Sequence, residues 1–292
     1  MKVGEIPEGN LRRFGDLGLM GGTLSRIAVL TVALFALFSF DFRGLAVSQT
    51  LLSDPLRLLM VAFIDTVVLG FFVSTARSSK LRAGGSVFAV FYGGNYLLTA
   101  LESAYLGSIL PLDLVIGLVV NGLIVSAAFA AALVLALGKG GEGNSAVPRL
   151  SVGAKEWVWK FALSGAVYLL LFMAFGLAVY YPIAKALDPV AFAAEQGAAS
   201  SAAAFWVLPL EYVGGMLWVV LAVPVILAVT TVWKKTALVV GLLFAVPVSC
   251  SMLLSGMSIG LTVAHATELF GENFAFGAFA VWLLHLRNRL PG

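Results

Sequence analysis

Along this chain, long stretches without charge alternate with short polar ones. Apolar runs bounded by charged or turn-forming residues fall at 27–40, 56–75, 83–101 and 114–137, then at 161–181, 213–233, 236–252 and 261–286. Most are long enough to cross a hydrocarbon core of about 30 Å at roughly 1.5 Å per helical residue. Lipid gives an exposed backbone N–H or C=O no partner, so each run is expected to be a helix. The pattern predicts an all-α, polytopic membrane helix bundle of about eight transmembrane helices. Residues 1–137 make a first four-span half and 154–292 a second, joined by a cytoplasmic linker at 138–153 rich in Gly, Ser and Asn. Together they read as one integral membrane domain.

The halves invite a comparison with each other. A shift of 154 residues lays Pro55 and Leu56 on Pro209 and Leu210, and Lys80 on Lys234. Two four-helix repeats related by an axis along the membrane normal would give that register. Convergent loop lengths would give it too, and both readings stay open. Pro224 and Pro247 fall inside the sixth and seventh runs, where a proline kinks a helix and frees a carbonyl for packing or for a ligand. In the connection 182–205, Asp188 followed by Pro189 is a helix-start signature. A short helix is expected there at the outer surface, either covering an opening or simply packing.

Composition narrows the class. The chain is 61% apolar and 11% charged, against about 45–50% and about 25% in soluble domains, so a water-soluble globule is excluded. Cys250 is the single cysteine, which rules out an intrachain disulfide and a cysteine metal cluster. The net charge of +3 comes from cations scattered among short loops, which argues against nucleic acid as a partner. Lys2, Arg12 and Arg13 precede the first run, and 46–48 has the look of a signal-peptidase site. The lead-in is long and carries Glu5, Glu8 and Asp16, so a retained first span is expected. Eight spans place 15 of the 18 Lys and Arg on one side, leaving Arg43, Arg57 and Lys185 on the other. The positive-inside rule then puts a multi-pass protein in the cell membrane with both termini cytoplasmic.

Acidic residues show the opposite bias, which that rule does not require. Ten of the fifteen lie in outer loops or outer halves of spans. Asp65 and Asn95 fall within hydrocarbon, with Glu102, Glu211 and His265 near the outer boundary and Glu272 and Asn273 a turn deeper. An ionisable group there costs several kcal/mol unless it faces a bundle interior, water or a partner. In the last run His265, Glu268 and Glu272 share one helical face. An imidazole with two carboxylates can bind a divalent cation, relay a proton or clamp a cationic ligand. The metal-ligand candidates are His265, Glu268, Glu272 and Glu102. The same groups also serve as helix caps and interhelical glue in many membrane proteins.

The segment 265–277, with a His, a Glu three residues on, Asn-Phe and then Gly, resembles the last span of uncharacterised prokaryotic multi-span membrane proteins. The run Asn95-Tyr-Leu-Leu-Thr-Ala-Leu-Glu102 is similar to a third-span pattern in the same group. The resemblance implies eight spans and candidate residues, but no reaction. No Walker loop or H-E-x-x-H motif occurs, and no soluble-type catalytic residue is assigned. The leading expectation is a transporter, channel or cation-binding protein. Its outward-facing acidic cavity would be lined by Asp65, Asn95, Glu102, Glu211, His265, Glu268, Glu272 and Asn273. Its partners would be the lipid bilayer and a metal ion, proton or small organic cation. The alternatives are an intramembrane enzyme built on His265 and Glu268, and an accessory subunit of a membrane complex. No cofactor and no oligomeric state are indicated.

Overall fold

The computed structural model describes residues 8–39, 54–106, 111–138, 153–199, 203–229 and 232–285. The segment 46–48 and nearly all of the 138–153 linker lie outside the described residues. Every regular element described is helical: α1 (Glu8–Ser39), α2 (Pro55–Thr75), α3 (Lys80–Tyr92), α4 (Thr99–Leu106) and α5 (Leu112–Leu137). Then follow α6 (Ala154–Phe175), α7 (Tyr181–Leu187), α8 (Pro189–Ala199), α9 (Ala203–Val229), α10 (Trp233–Ser251) and α11 (Ile259–His285). A π-helical turn, Gly93–Leu98, joins α3 to α4, and a second, Gly176–Tyr180, joins α6 to α7.

Six helical stretches are long and apolar enough to cross a membrane: Gly22–Ser39, Pro55–Thr75, Leu112–Leu137, Ala154–Leu187, Val207–Val229 and Trp233–Leu254. Two more continuous helical stretches, 80–106 and Ile259–His285, are interrupted by polar residues, half-buried Asn95 and Glu102 in the first and buried Glu268, Glu272 and Asn273 in the second. The structure is thus a helical bundle compatible with an integral membrane protein.

Local sequence explains the helix ends. Asp54 caps α2 by accepting from the Arg57 N–H at 3.1 Å, with Pro55 pre-set at the first helical position. The ninth helix begins at Ala203, ten residues before the apolar run at 213, and stays continuous through Pro209 and Pro224. An apolar helix tolerates such prolines because neighbouring groups take up the freed backbone. On α3, Ser86 donates to the Arg82 carbonyl at 2.9 Å and lies 3.0 Å from the Pro224 carbonyl of α9, which ties the halves together.

The core runs through both halves, with Phe72, Phe91, Phe129, Phe244 and Phe276 fully buried. In lipid there is no hydrophobic drive between helices, so close packing must hold them. The α10–α11 pair shows how: a Cβ on Gly277 would sit 2.8 Å from the Gly241 Cα and 3.0 Å from the Val240 carbonyl oxygen. Only glycine permits that approach.

Candidate functional site: a cluster of acids under a short helix

The chain turns sharply at Asp188, where α7 ends and α8 begins. The Ala191 N–H donates to Asp188 Oδ1 at 3.0 Å, which is the N-cap that the Asp-Pro pair predicts. Ser258, just ahead of α11, and that backbone N–H together hold the Asp188 carboxyl below the ordinary carboxylate range. Phe192, one turn into α8, is buried against Tyr180 and meets Tyr181 edge-on at 4.8 Å. These contacts lay α8 across the ends of α7 and α11.

Two turns after the cap, α8 delivers Glu195. Its Oε1 lies 3.2 Å from His265 Nε2, and its other oxygen accepts from the Tyr180 hydroxyl. The other imidazole nitrogen, Nδ1, lies 3.2 Å from Glu268 Oε2. Tyr180 stacks on the His265 ring with centroids 4.2 Å apart. A neutral imidazole has one N–H and one acceptor nitrogen, so carboxylates at both nitrogens are satisfied together only by imidazolium. His265 is therefore clamped between two acids, positively charged whenever both are ionised, and it latches α8 to α11.

Beneath the latch the acids continue inward. Glu268 is 6% exposed, and Gly176 in the second π turn leaves room for it: a Cβ there would lie 3.2 Å from Glu268 Oε1. Glu272, one helical turn deeper, is 1% exposed, and its carboxylate oxygens make no hydrogen bond of good geometry, the Tyr168 hydroxyl being the one group that interacts with them. Its charge acts on the Tyr168 hydroxyl from α6, which is 3.4 Å from Asn273 Oδ1. Asn273 is itself turned back, donating to the Leu269 carbonyl at 2.9 Å.

Glu102 from α4 and Glu211 from α9 complete the group. Glu211 interacts electrostatically with Glu102, Glu272 and Glu268, and Glu272 with Glu268 and Glu102. Four carboxylates on three helices thus share one neighbourhood. No Lys or Arg is ion-paired with any of them among the described residues. Glu102 also borders a cavity of about 260 Å³ between α4 and α9, whose other walls include Leu98, Leu101, Pro209, Val213 and Leu217. A pocket with apolar walls and one carboxylate matches an amine with an apolar body. Among the described residues no three His, Cys, Asp or Glu side chains approach closely enough to hold a metal ion, the combination of His265, Glu268, Glu272 and Glu102 included.

Six of the eight residues singled out by sequence, Glu102, Glu211, His265, Glu268, Glu272 and Asn273, lie in this region. Asp65 and Asn95 do not join it in any contact described: Asp65 acts on Tyr96 and Cys250, and Asn95 sits in the first π turn. Sequence reasoning did not assign Glu195, Tyr180 or Tyr168 to the site. For Glu195 a signal existed, since the Asp188 cap fixes where α8 begins and puts position 195 two turns on. No family model, curated protein or solved structure matches the chain, so its function rests on this cluster of acids.

Proposed function

We propose that this chain is an eight-span cell-membrane protein, both termini cytoplasmic, that binds and passes protons or a small organic cation through an outward-facing acidic chamber. Lys80–Leu106 and Ile259–His285 supply the two spans beyond the six apolar ones. The orientation rests on the distribution of Lys and Arg. One observation carries the functional reading: Glu102, Glu211, Glu268 and Glu272 crowd one region of a bundle with His265 as the single cation paired there among the described residues. Unneutralised acids in a membrane interior are costly and are kept where a pathway or ligand needs them. The spacing of these acids and the apolar cavity beside Glu102 favour protons or an organic ammonium over a resident metal ion.

The test is flux in proteoliposomes. Proton entry is followed with an entrapped pH-sensitive dye, and radiolabelled tetraethylammonium is the organic probe. Flux of at least one probe should appear with the wild type and fall when Glu268→Gln and Glu102→Gln are introduced. Flux that is unchanged in both variants would remove the chamber from the pathway.

A further inference from the structure

Asp65 stands apart from the chamber. It occupies the midpoint of α2, ten residues from each end, and is 1% exposed with no hydrogen-bond partner on Oδ1. Three more buried oxygens without partners belong to the same half of the chain: Thr31 on α1, Asn95 on the first π turn and Ser126 on α5. Both α1 and α5 pack on α2. Such atoms are rare in a finished interior and ask for an explanation.

The charges around Asp65 are few. The titratable groups that feel it are Tyr96, from the first π turn, and Cys250, from α10. Arg57 on α2 and Arg77 just beyond its end lie eight and twelve residues away, about 12 and 18 Å along the helix direction. Arg26 of α1 is spent on the Ala136 carbonyl at 3.1 Å. Lys234 and Lys235 stand at the far end of α10 from Cys250.

We propose that Asp65 is a second site in mid-membrane, distinct from the outer chamber, and that its ligand is an exchangeable proton. An ionised carboxylate without a partner is far too costly in that setting, so the group holds either a proton or a bound cation. A hard metal cation wants several oxygen ligands. The groups that Asp65 acts on, a phenol and a thiol, do not supply them, and no contact with Asp65 is described for the oxygens of Thr31, Asn95 and Ser126, whereas a proton needs only the one free oxygen. The adjoining π turn fits this assignment, since single π turns inside helices recur at functional positions. The site stands whether or not the outer chamber passes cations.

The probe is dicyclohexylcarbodiimide, applied to the intact protein in proteoliposomes. A protonated carboxyl adds across one C=N bond, its proton passing to nitrogen, and the O-acylisourea rearranges to a stable N-acylurea. The whole reagent mass stays on the residue, so peptide mass spectrometry reads position 65 directly, and Asp65→Asn serves as the blank. Labelling of Asp65 should fall about tenfold per pH unit above its titration midpoint and ignore added sodium or potassium. Absent labelling, labelling that does not vary with pH, or protection by either metal ion would overturn the assignment. The wild-type measurement alone decides, so a variant that fails to fold removes nothing.

Discussion

Replacing Glu272 by Met should stabilise the protein while disabling it. Met has nearly the same length and volume, so the swap leaves the packing of α11 against its neighbours in place. What it removes is a carboxylate that is 1% exposed and makes no hydrogen bond of good geometry, only a loose one with the Tyr168 hydroxyl. Each buried polar group without a partner costs about 1–3 kcal/mol. Tyr168 keeps Asn273 as its hydrogen-bond partner, so no new orphan is made. The net gain expected is about 1–3 kcal/mol, or roughly 2–4 °C in Tm for each kcal/mol. Thermal unfolding of the detergent-solubilised protein, followed by tryptophan fluorescence, reads it, with proton and tetraethylammonium flux measured in parallel. Functional sites commonly carry such instability. A Glu272→Met protein that unfolds earlier than wild type would show the carboxylate to be a structural contact and refute the reasoning.

Three further outcomes are expected. Glu195→Gln removes the negative partner of His265 Nε2; since Glu195 is about a third exposed, the loss should be near 1 kcal/mol, read as a several-fold rise in amide hydrogen exchange confined to residues 189–199. Asp188 has a depressed folded-state value, so its contribution is present above the ordinary carboxylate range and lost as pH falls through that lower value. Protection at the start of α8 should therefore persist through mildly acid pH and collapse only in stronger acid, whereas Asp188→Ala should show low protection at every pH. Gly277→Ala drives a Cβ to 2.8 Å from the Gly241 Cα, and since backbone must move to make room, the cost should be about 1–3 kcal/mol in a thermal melt.

The sequence made the stripe on α11 legible because a helix repeats every 3.6 residues, and that alone places His265, Glu268 and Glu272 on one face. The start of α8 was equally legible, since Asp188 and Pro189 satisfy local backbone needs that no distant residue supplies. The latch was not. It exists because α8 folds back over α11, so that Glu195 meets a histidine 70 positions later in the chain. Tyr168 escaped notice for the same reason, its partners Glu272 and Asn273 lying on α11. The π turns were hidden because one extra residue in a turn leaves no mark in an apolar run. In the eighth run the polar residues that identify the site are also those that weaken its hydropathy, which is why six stretches, and not that one, stand out by composition.

The central claim is that acids from both halves of the chain act on one bound cation, and a double-mutant cycle tests it most directly. Saturable flux is measured for wild type, Glu102→Gln, Glu272→Gln and the double variant, and the half-saturation constants are compared. Groups sharing one ligand are coupled, so the double variant should lose less than the two single losses combined, by about 0.5 kcal/mol or more. Losses that simply add would place Glu102 and Glu272 in separate environments and contradict a common chamber.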